Sequence, residues 1–414
     1  MKQISIVGIG MGNTETLTLE GKRCIEQAEV LIGAKRMVEA VNIDNKPCFT
    51  SFDSSRIKAY IDSCPSQKYV VLMSGDTGFY SGTGALLPLL EEYEVKVLPG
   101  ISALSYFSAR LGISWEDAYL LSCHGREENL LTAVRLHYKT FLLTDGKIGE
   151  ICRKLIQAGL GNVLVYVGEN LSYAEERIVK GRPEELAELD FAALSSLFIL
   201  NSNYRTELEI GIPDEEFLRG SVPMTKSEVR AIAISKLKLK EDSVIYDIGA
   251  GTGSVSVEAA CLAKRGRVYA IEQNEEAVEL IKQNRDKFAL DNIKVVHGFA
   301  AEVMEELETP DIAFIGGSKG SMEEIFHSLF NRNKRIRIVI TAITLETLGE
   351  ALRLMKSFEF KEVEVVQASI SRTKEAGNYH MLMGQNPVFI ISGRGEKLDE
   401  NLPYTISRYE KRSR

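Results

Sequence analysis

The sequence lacks most of the features that announce a special environment or a metal-based chemistry. Its six cysteines (Cys24, Cys48, Cys64, Cys123, Cys152 and Cys261) are scattered, with no CxxC pair. That spacing speaks for free thiols in a reducing cytoplasm and against a zinc site. The five histidines are dispersed and form no HExxH motif, so no metal is expected. No apolar run approaches the roughly 20 residues that span a bilayer, so no membrane partner is expected. The opening segment from Met1 to Gly8 has neither an apolar h-region nor a cleavage site and reads as a strand. Low-complexity stretches are absent. A formal net charge of −8 leaves little room for a phosphate-tracking surface, which argues against a nucleic-acid partner.

What is present is an ordinary globular composition, 44% hydrophobic and 26% charged. A chain of 414 residues is too long for one core and suggests two domains of about 200 residues each. Short apolar runs alternate with helical patterns throughout, the sign of an α/β fold. In the first half, Ile4–Val7, Val70–Met73, Val95–Leu98, Phe141–Thr144 and Val163–Val167 read as buried strands. Thr18–Ala28, Thr83–Leu90 and Ile148–Ala158 read as helices. Residues 205–223 hold turn formers and charges without a sustained period, a linker candidate that divides the chain into 1–212 and 213–414.

The second half is more regular. Val244–Ile248, Val268–Ile271, Ile293–Val296, Ile312–Ile315 and Ile336–Thr341 are strand-like, with helices at Ser254–Ala263, Glu275–Lys287, Met322–Phe330 and Leu345–Ser357. Asn274 is placed to cap the second of these helices. Val363–Ala368 and Val388–Ser392 are expected to pair as a terminal hairpin. The result is a doubly wound, Rossmann-like sheet with an antiparallel edge. The basic end, with Arg408, Lys411, Arg412 and Arg414, reads as a solvated tail.

The strongest local signal is the strand Val244–Ile248 running into Gly249-Ala250-Gly251-Thr252-Gly253, with a helix directly after. Glycines let a ligand approach the main chain, and the helix N-terminus offers free N–H donors. Glu272 closes the next strand, where a carboxylate suits a grip on ribose hydroxyls. Ser254 and Val255 follow Gly253, so the third glycine of a dinucleotide loop is missing. Asp247 precedes the loop and either meets an ammonium group or caps the loop. These features favour S-adenosylmethionine over a nicotinamide. At the end of the fourth strand stands Phe314-Ile315-Gly316-Gly317-Ser318-Lys319-Gly320, without the proline-rich aromatic motif of enzymes that methylate exocyclic base nitrogens. It reads either as room for a bulky flat substrate or as a flexible loop.

In the first half Val7–Gly12 again follows a strand. Ser74–Gly82, Pro99–Ser102 and Ser122–Arg126 are further loops at strand ends, where open α/β sheets bind ligands. His124 and Arg126 read as substrate-orienting, structural or proton-transferring groups.

Together these loops resemble the tetrapyrrole methylases. The second half, through Met224-Thr225-Lys226-Ser227-Glu228-Val229-Arg230, Asp247–Gly253, Phe314–Ser318, Thr341–Thr347 and Asn386–Ile390, resembles the decarboxylating precorrin methyltransferases. The resemblance covers nearly the whole chain. It implies a tetrapyrrole-methylase-like domain followed by a class I methyltransferase domain. It also implies S-adenosylmethionine as cofactor, a precorrin or cobalt-precorrin substrate, and a homo-oligomer. It places cofactor contacts at Met11, Asp76, Phe79, Ile101, Ser102 and Leu143 in the first half. In the second they fall at Thr225, Gly249, Ala250, Gly251, Thr252, Gly253, Glu272 and Ala300. Lys226, Arg230, Arg372 and His380 become candidate grips on substrate carboxylates, beside His124 and Arg126. Two departures stand out: the family has proline where Met11 and Thr77 sit, and aspartate where Phe299 sits. Phe299 then either stacks on the adenine or leaves the adenine without the bond an aspartate would make. The competing readings are a nicotinamide oxidoreductase, another small-molecule or nucleic-acid methyltransferase, and a non-catalytic binding protein.

Overall fold

A computed structural model describes residues 2–41, 45–123, 129–204 and 210–395. The chain is mixed α/β throughout. In the first sheet, β1 (Gln3–Gly8), β2 (Val30–Gly33), β3 (Cys48–Thr50), β4 (Lys68–Met73) and β5 (Glu94–Leu98) lie parallel in the order β3-β2-β4-β1-β5. The second sheet is mixed. It holds β6 (Tyr119–Ser122), β7 (Lys139–Leu143), β8 (Leu164–Glu169), β9 (Arg177–Gly181) and β10 (Ser195–Leu200), in the order β6-β7-β10-β8-β9. The expected strands of this half fall inside β1, β4, β5, β7 and β8 with small shifts at their ends, while β2, β3, β6, β9 and β10 were not anticipated.

After residue 243 comes a seven-stranded sheet. Its strands are β11 (Val244–Ile248), β12 (Arg267–Glu272), β13 (Ile293–His297), β14 (Ile312–Ile315), β15 (Arg337–Ala342), β16 (Lys361–Ala368) and, after a separate hairpin of β17 (Ser371–Ala376) and β18 (Tyr379–Gly384), β19 (Val388–Arg394). The order is β13-β12-β11-β14-β15-β19-β16, with the first five strands parallel and β19 antiparallel to both its neighbours, β15 and β16. β16 and β19 pair as expected. The β17–β18 hairpin between them was not foreseen, because its strands carry charged and apolar residues without alternation and stay exposed on both faces.

Strands buried on both sides read as continuous apolar runs. In β11, Val244, Tyr246 and Ile248 pack into the core on one face, while Ile245 packs into the core on the other. Asp247 shares the Ile245 face by strand parity. Asn274 caps the helix Glu275–Lys287 by accepting from the Ala277 N–H, as the sequence anticipates. Among the described residues no helix is long and apolar enough to cross a membrane.

Residues 210–226 form a docked strap. The Glu258 carboxylate accepts from the Gly211 and Ile212 N–H groups, the Asn284 side chain accepts from Leu218 N, and Glu276 accepts from Ser221 N. Ile212 and Phe217 are buried in the core of the second half.

The two halves also meet directly. The helix Leu130–Leu136 receives no cap from its own Asn129, whose amide donates to the Lys264 and Gly266 carbonyls at 2.6 and 3.1 Å. Its free N–H groups are taken instead by Asp291, which accepts from Leu131 N at 2.7 Å and Thr132 N at 3.3 Å. Arg135 adds a bond to the Phe288 carbonyl at 2.7 Å. Burial pushes the Asp291 carboxyl above its usual range, against the bonds from Leu131 and Thr132. Losing a helix cap costs about 0.5–2 kcal/mol. Asp291→Ala is therefore expected to lower the melting temperature and to let the two halves unfold in separate calorimetric transitions; an unchanged thermogram would mean that this seam contributes nothing.

Candidate active site

The carboxyl ends of β12, β11, β14 and β15 border one continuous trough, at the point where strand order reverses between β11 and β14. Open α/β sheets bind ligands at such a point. A cleft of about 500 Å³ lies between the strap residues 221–226, the loop Gly249–Gly251, Glu272–Asn274 and the loop after β14. A second recess, between Glu272, Phe299, Ala300 and Ser318, opens beside it.

The glycine loop is built by close approach. Gly249 has φ 71°, and a Cβ there would stand 2.6 Å from the Gly317 carbonyl, so the loops after β11 and β14 touch through backbone alone. A Cβ on Gly317 would meet nothing within 4 Å, which places that residue on open space. Glu272 sits between the two recesses, its carboxylate fixed by Gly251 N at 3.0 Å on one oxygen and by Gln273 N and Asn274 N on the other. Two carboxylate oxygens offer about four acceptor positions, so with three taken by backbone N–H groups about one remains for a hydroxyl.

Thr225, Gly249, Ala250, Gly251, Glu272 and Ala300 all border these two recesses. Thr252 and Gly253 stand behind the loop: Thr252 is buried, and Gly253 begins the helix Ser254–Leu262. Phe299 is 60% exposed at the mouth, open for stacking.

Several readings need correction. Asp247 does not face the trough. Its face of β11 is covered by the helix Ser254–Leu262, and its carboxylate accepts from the Ser256 hydroxyl. Arg230 is no substrate grip, because it is fully buried. It donates to Glu258 at 2.5 Å, to the Thr225 carbonyl at 2.7 Å and to the Ile212 carbonyl, and stacks on Phe217 at 4.7 Å. Arg372 is also engaged, with Glu228 at 2.6 Å and Asp214 at 3.3 Å, and its bond holds the Glu228 carboxyl below the usual range. His380 lies on the exposed β17–β18 hairpin, 3.8 Å from Glu375. Lys226 borders the cleft but stands 3.7 Å from Asp214. His124 and Arg126 lie outside the described residues. Sequence reasoning missed Lys319, Gln273, Thr341 and Ile343 as trough residues; a charged residue inside Gly-Gly-Ser-Lys-Gly was the available signal.

In the first half, three loops zip together. Gly10 and Gly75 exchange backbone hydrogen bonds of 3.1 and 2.7 Å, and Asp76 accepts from Gly78 N and Gly100 N. A Cβ on Gly100 would overlap the Gly75 carbonyl and stand 2.7 Å from that of Gly8. Ser102 caps the helix Ala103–Leu111, while Ile101 is half-exposed beside it. Met11, Phe79 and Leu143 pack on one aromatic cluster with Phe107, Phe141 and Phe198. All six residues expected there are thus brought to the ends of β1, β4, β5 and β7, with Asp76 spent on loop amides.

Burial raises the Asp247 carboxyl to about 7, partly offset by Ser256. A folded pKa above the unfolded value means the fold holds a proton that the unfolded chain releases between about pH 4 and 7. Stability from this group is full at low pH and is lost as pH rises through 7. Asp247→Asn keeps an acceptor for Ser256 and has no charge to bury, so thermal melts are expected to show it gaining on the parent protein at pH 8 relative to pH 5.

Residues 216–394 match the family model of the precorrin methyltransferase domain, and residues 3–187 that of the tetrapyrrole (corrin/porphyrin) methylases. A probable cobalt-precorrin-6B C(15)-methyltransferase (decarboxylating) of Sulfurisphaera tokodaii is 40% identical over 190 residues, 44% of this chain and 96% of that protein. A protein of the same name from Pyrobaculum calidifontis is 42% identical over 185 residues, 44% of this chain and 94% of that one. A solved precorrin-6y C5,15-methyltransferase of Geobacter metallireducens is 41% identical, covering 45% of this chain and 97% of its own, with a TM-score of 0.43. The chain belongs to the precorrin methyltransferases, joining a tetrapyrrole methylase region to a precorrin methyltransferase region in one polypeptide.

Proposed function

We propose that this enzyme uses S-adenosylmethionine to methylate carbons 5 and 15 of a precorrin or cobalt-precorrin macrocycle, with loss of the ring C acetate carboxyl, in cobalamin biosynthesis. Residues 1–212 serve carbon 5 and residues 213–414 serve carbon 15 and the decarboxylation. The observation that carries the reading is the trough over β12, β11, β14 and β15, with Glu272 anchored at its centre, in a half whose relatives bear the decarboxylating name.

When bound, S-adenosylmethionine supplies an electrophilic methyl group, so the protein needs no strong nucleophile of its own. Its task is alignment and exclusion of water, and alignment contributes up to about 7–11 kcal/mol in favourable systems. Glu272 would accept from a ribose hydroxyl and Ala300 and Phe299 would flank the adenine, while Val222–Thr225 of the strap line the cleft on one side. In the decarboxylation the acetate C–C bond breaks and carbon dioxide leaves. The electron pair enters the conjugated ring, and the carbon takes up a proton from water. In the first half Met11, Phe79 and Leu143 form an apolar wall and Asp76 holds the loops that line it.

The enzyme works in the cytoplasm as a homo-oligomer, without nucleic acid. The exposed Tyr379 and Leu382 of the β17–β18 hairpin support self-association.

Calorimetric titration with S-adenosylhomocysteine is expected to show two binding events per chain. Glu272→Ala should remove one of them. Gly100→Ala, whose methyl would overlap the Gly75 carbonyl, should remove the other. A single event in the parent protein would overturn the double methylation.

A further inference from the structure

The cations first read as carboxylate grips in the second half are already engaged or lie away from the trough, as described for Lys226, Arg230, Arg372 and His380. One other cation is not. Lys319 borders all three adjoining recesses: the one at Ala300, the cleft under the strap, and a third over β15 that reaches Thr347 and Glu350. Its side chain is exposed, and it has no hydrogen-bond or ion-pair partner among the described residues. Its backbone is left-handed, φ 45°, a conformation that glycine adopts freely and that costs a residue with a side chain. Glycines stand all round it at 316, 317 and 320, so a lysine here keeps a side chain where none would be easier to fold.

We propose that Lys319 binds a carboxylate of the acceptor ring that is retained in the product, and thereby fixes how the ring lies over the transferred methyl group. This rests on the reading of the acceptor as a polycarboxylated macrocycle. The far recess carries Glu346 and Glu350, so an acidic ring lying across it finds its cation at the Lys319 end. The carboxylate is a retained one for a chemical reason. A departing carboxylate gives up its charge as the C–C bond breaks, and an ammonium paired with it would stabilise the starting state more than the transition state. A retained carboxylate keeps its charge throughout, so its pairing strengthens binding without raising the barrier.

The test is steady-state kinetics of carbon-15 methylation by the intact chain, its Lys319→Ala and Lys319→Arg variants, with S-adenosylhomocysteine titrations alongside. In Lys319→Ala the KM for the macrocycle is expected to rise about tenfold. Lys319→Arg should restore most of this, and the alanine variant should lose part of the salt dependence of KM. The turnover number should change by less than about threefold, with S-adenosylhomocysteine affinity kept. An unchanged KM overturns the proposal. A rise in turnover alongside the rise in KM also overturns it, by assigning Lys319 to the departing carboxyl, and so does a fall in turnover at constant KM, by assigning Lys319 to the transition state rather than to binding. So does weakened S-adenosylhomocysteine binding at constant KM, by assigning it to the donor. If the parent protein binds S-adenosylhomocysteine but neither binds nor methylates the macrocycle, the reading of the acceptor falls and this role with it. If the parent turns over and Lys319→Ala matches it, only the role of Lys319 falls.

Discussion

The second half of the molecule is organised around one buried guanidinium. Arg230 bonds at once to Glu258 on the helix that follows the glycine loop, to the Ile212 carbonyl in the strap, and to the Thr225 carbonyl at the edge of the cleft. Glu258 in turn accepts from the backbone of Gly211 and Ile212, and Asp214 lies against Arg230, Lys226 and Arg372. Two fully desolvated charges are tolerable only when their bonding capacity is filled, and removing one partner of such a pair typically costs about 3–5 kcal/mol. The network therefore fixes three pieces of chain relative to one another. One of them, through Thr225, is a wall of the proposed donor site.

This arrangement explains which parts of the protein were legible in the sequence. Strands such as Val244–Ile248 and helices such as Glu275–Lys287 and Leu345–Ser357 have the same bounds in the structure as in the reading, because apolar runs, periodicity and caps are local signals. β2 and β3 escaped because Val30–Gly33 and Cys48–Thr50 are too short to show a period. The strap read as a linker because its order comes from Glu258, Asn284 and Glu276, all distant in sequence.

The site was legible in its backbone features and less so in its charges. Glycine loops and an acid at a strand end announce themselves by spacing, and Glu272 stands where that spacing put it. Whether a cation faces solvent, a ligand or a buried carboxylate depends on the other side of the contact. Arg230 looked available because nothing near it in sequence says that Glu258 lies opposite. Asp247 read either as a ligand group or as a cap on the loop, and strand parity turns it toward Ser256 instead of the trough.

The seam between the halves lies at Lys264, Gly266 and Asp291, just ahead of β12 and β13, whereas the trough lies beyond the far ends of those same strands. At about 3.3 Å per residue, strands of five or six residues put close to 20 Å of packed sheet between the two. The second half thus turns its back on the first. Among the described residues, the direct line from the seam to the trough is filled by packed sheet. A macrocycle that reaches the trough from the solvent side meets the second site at a concentration set by how fast it diffuses around the sheet.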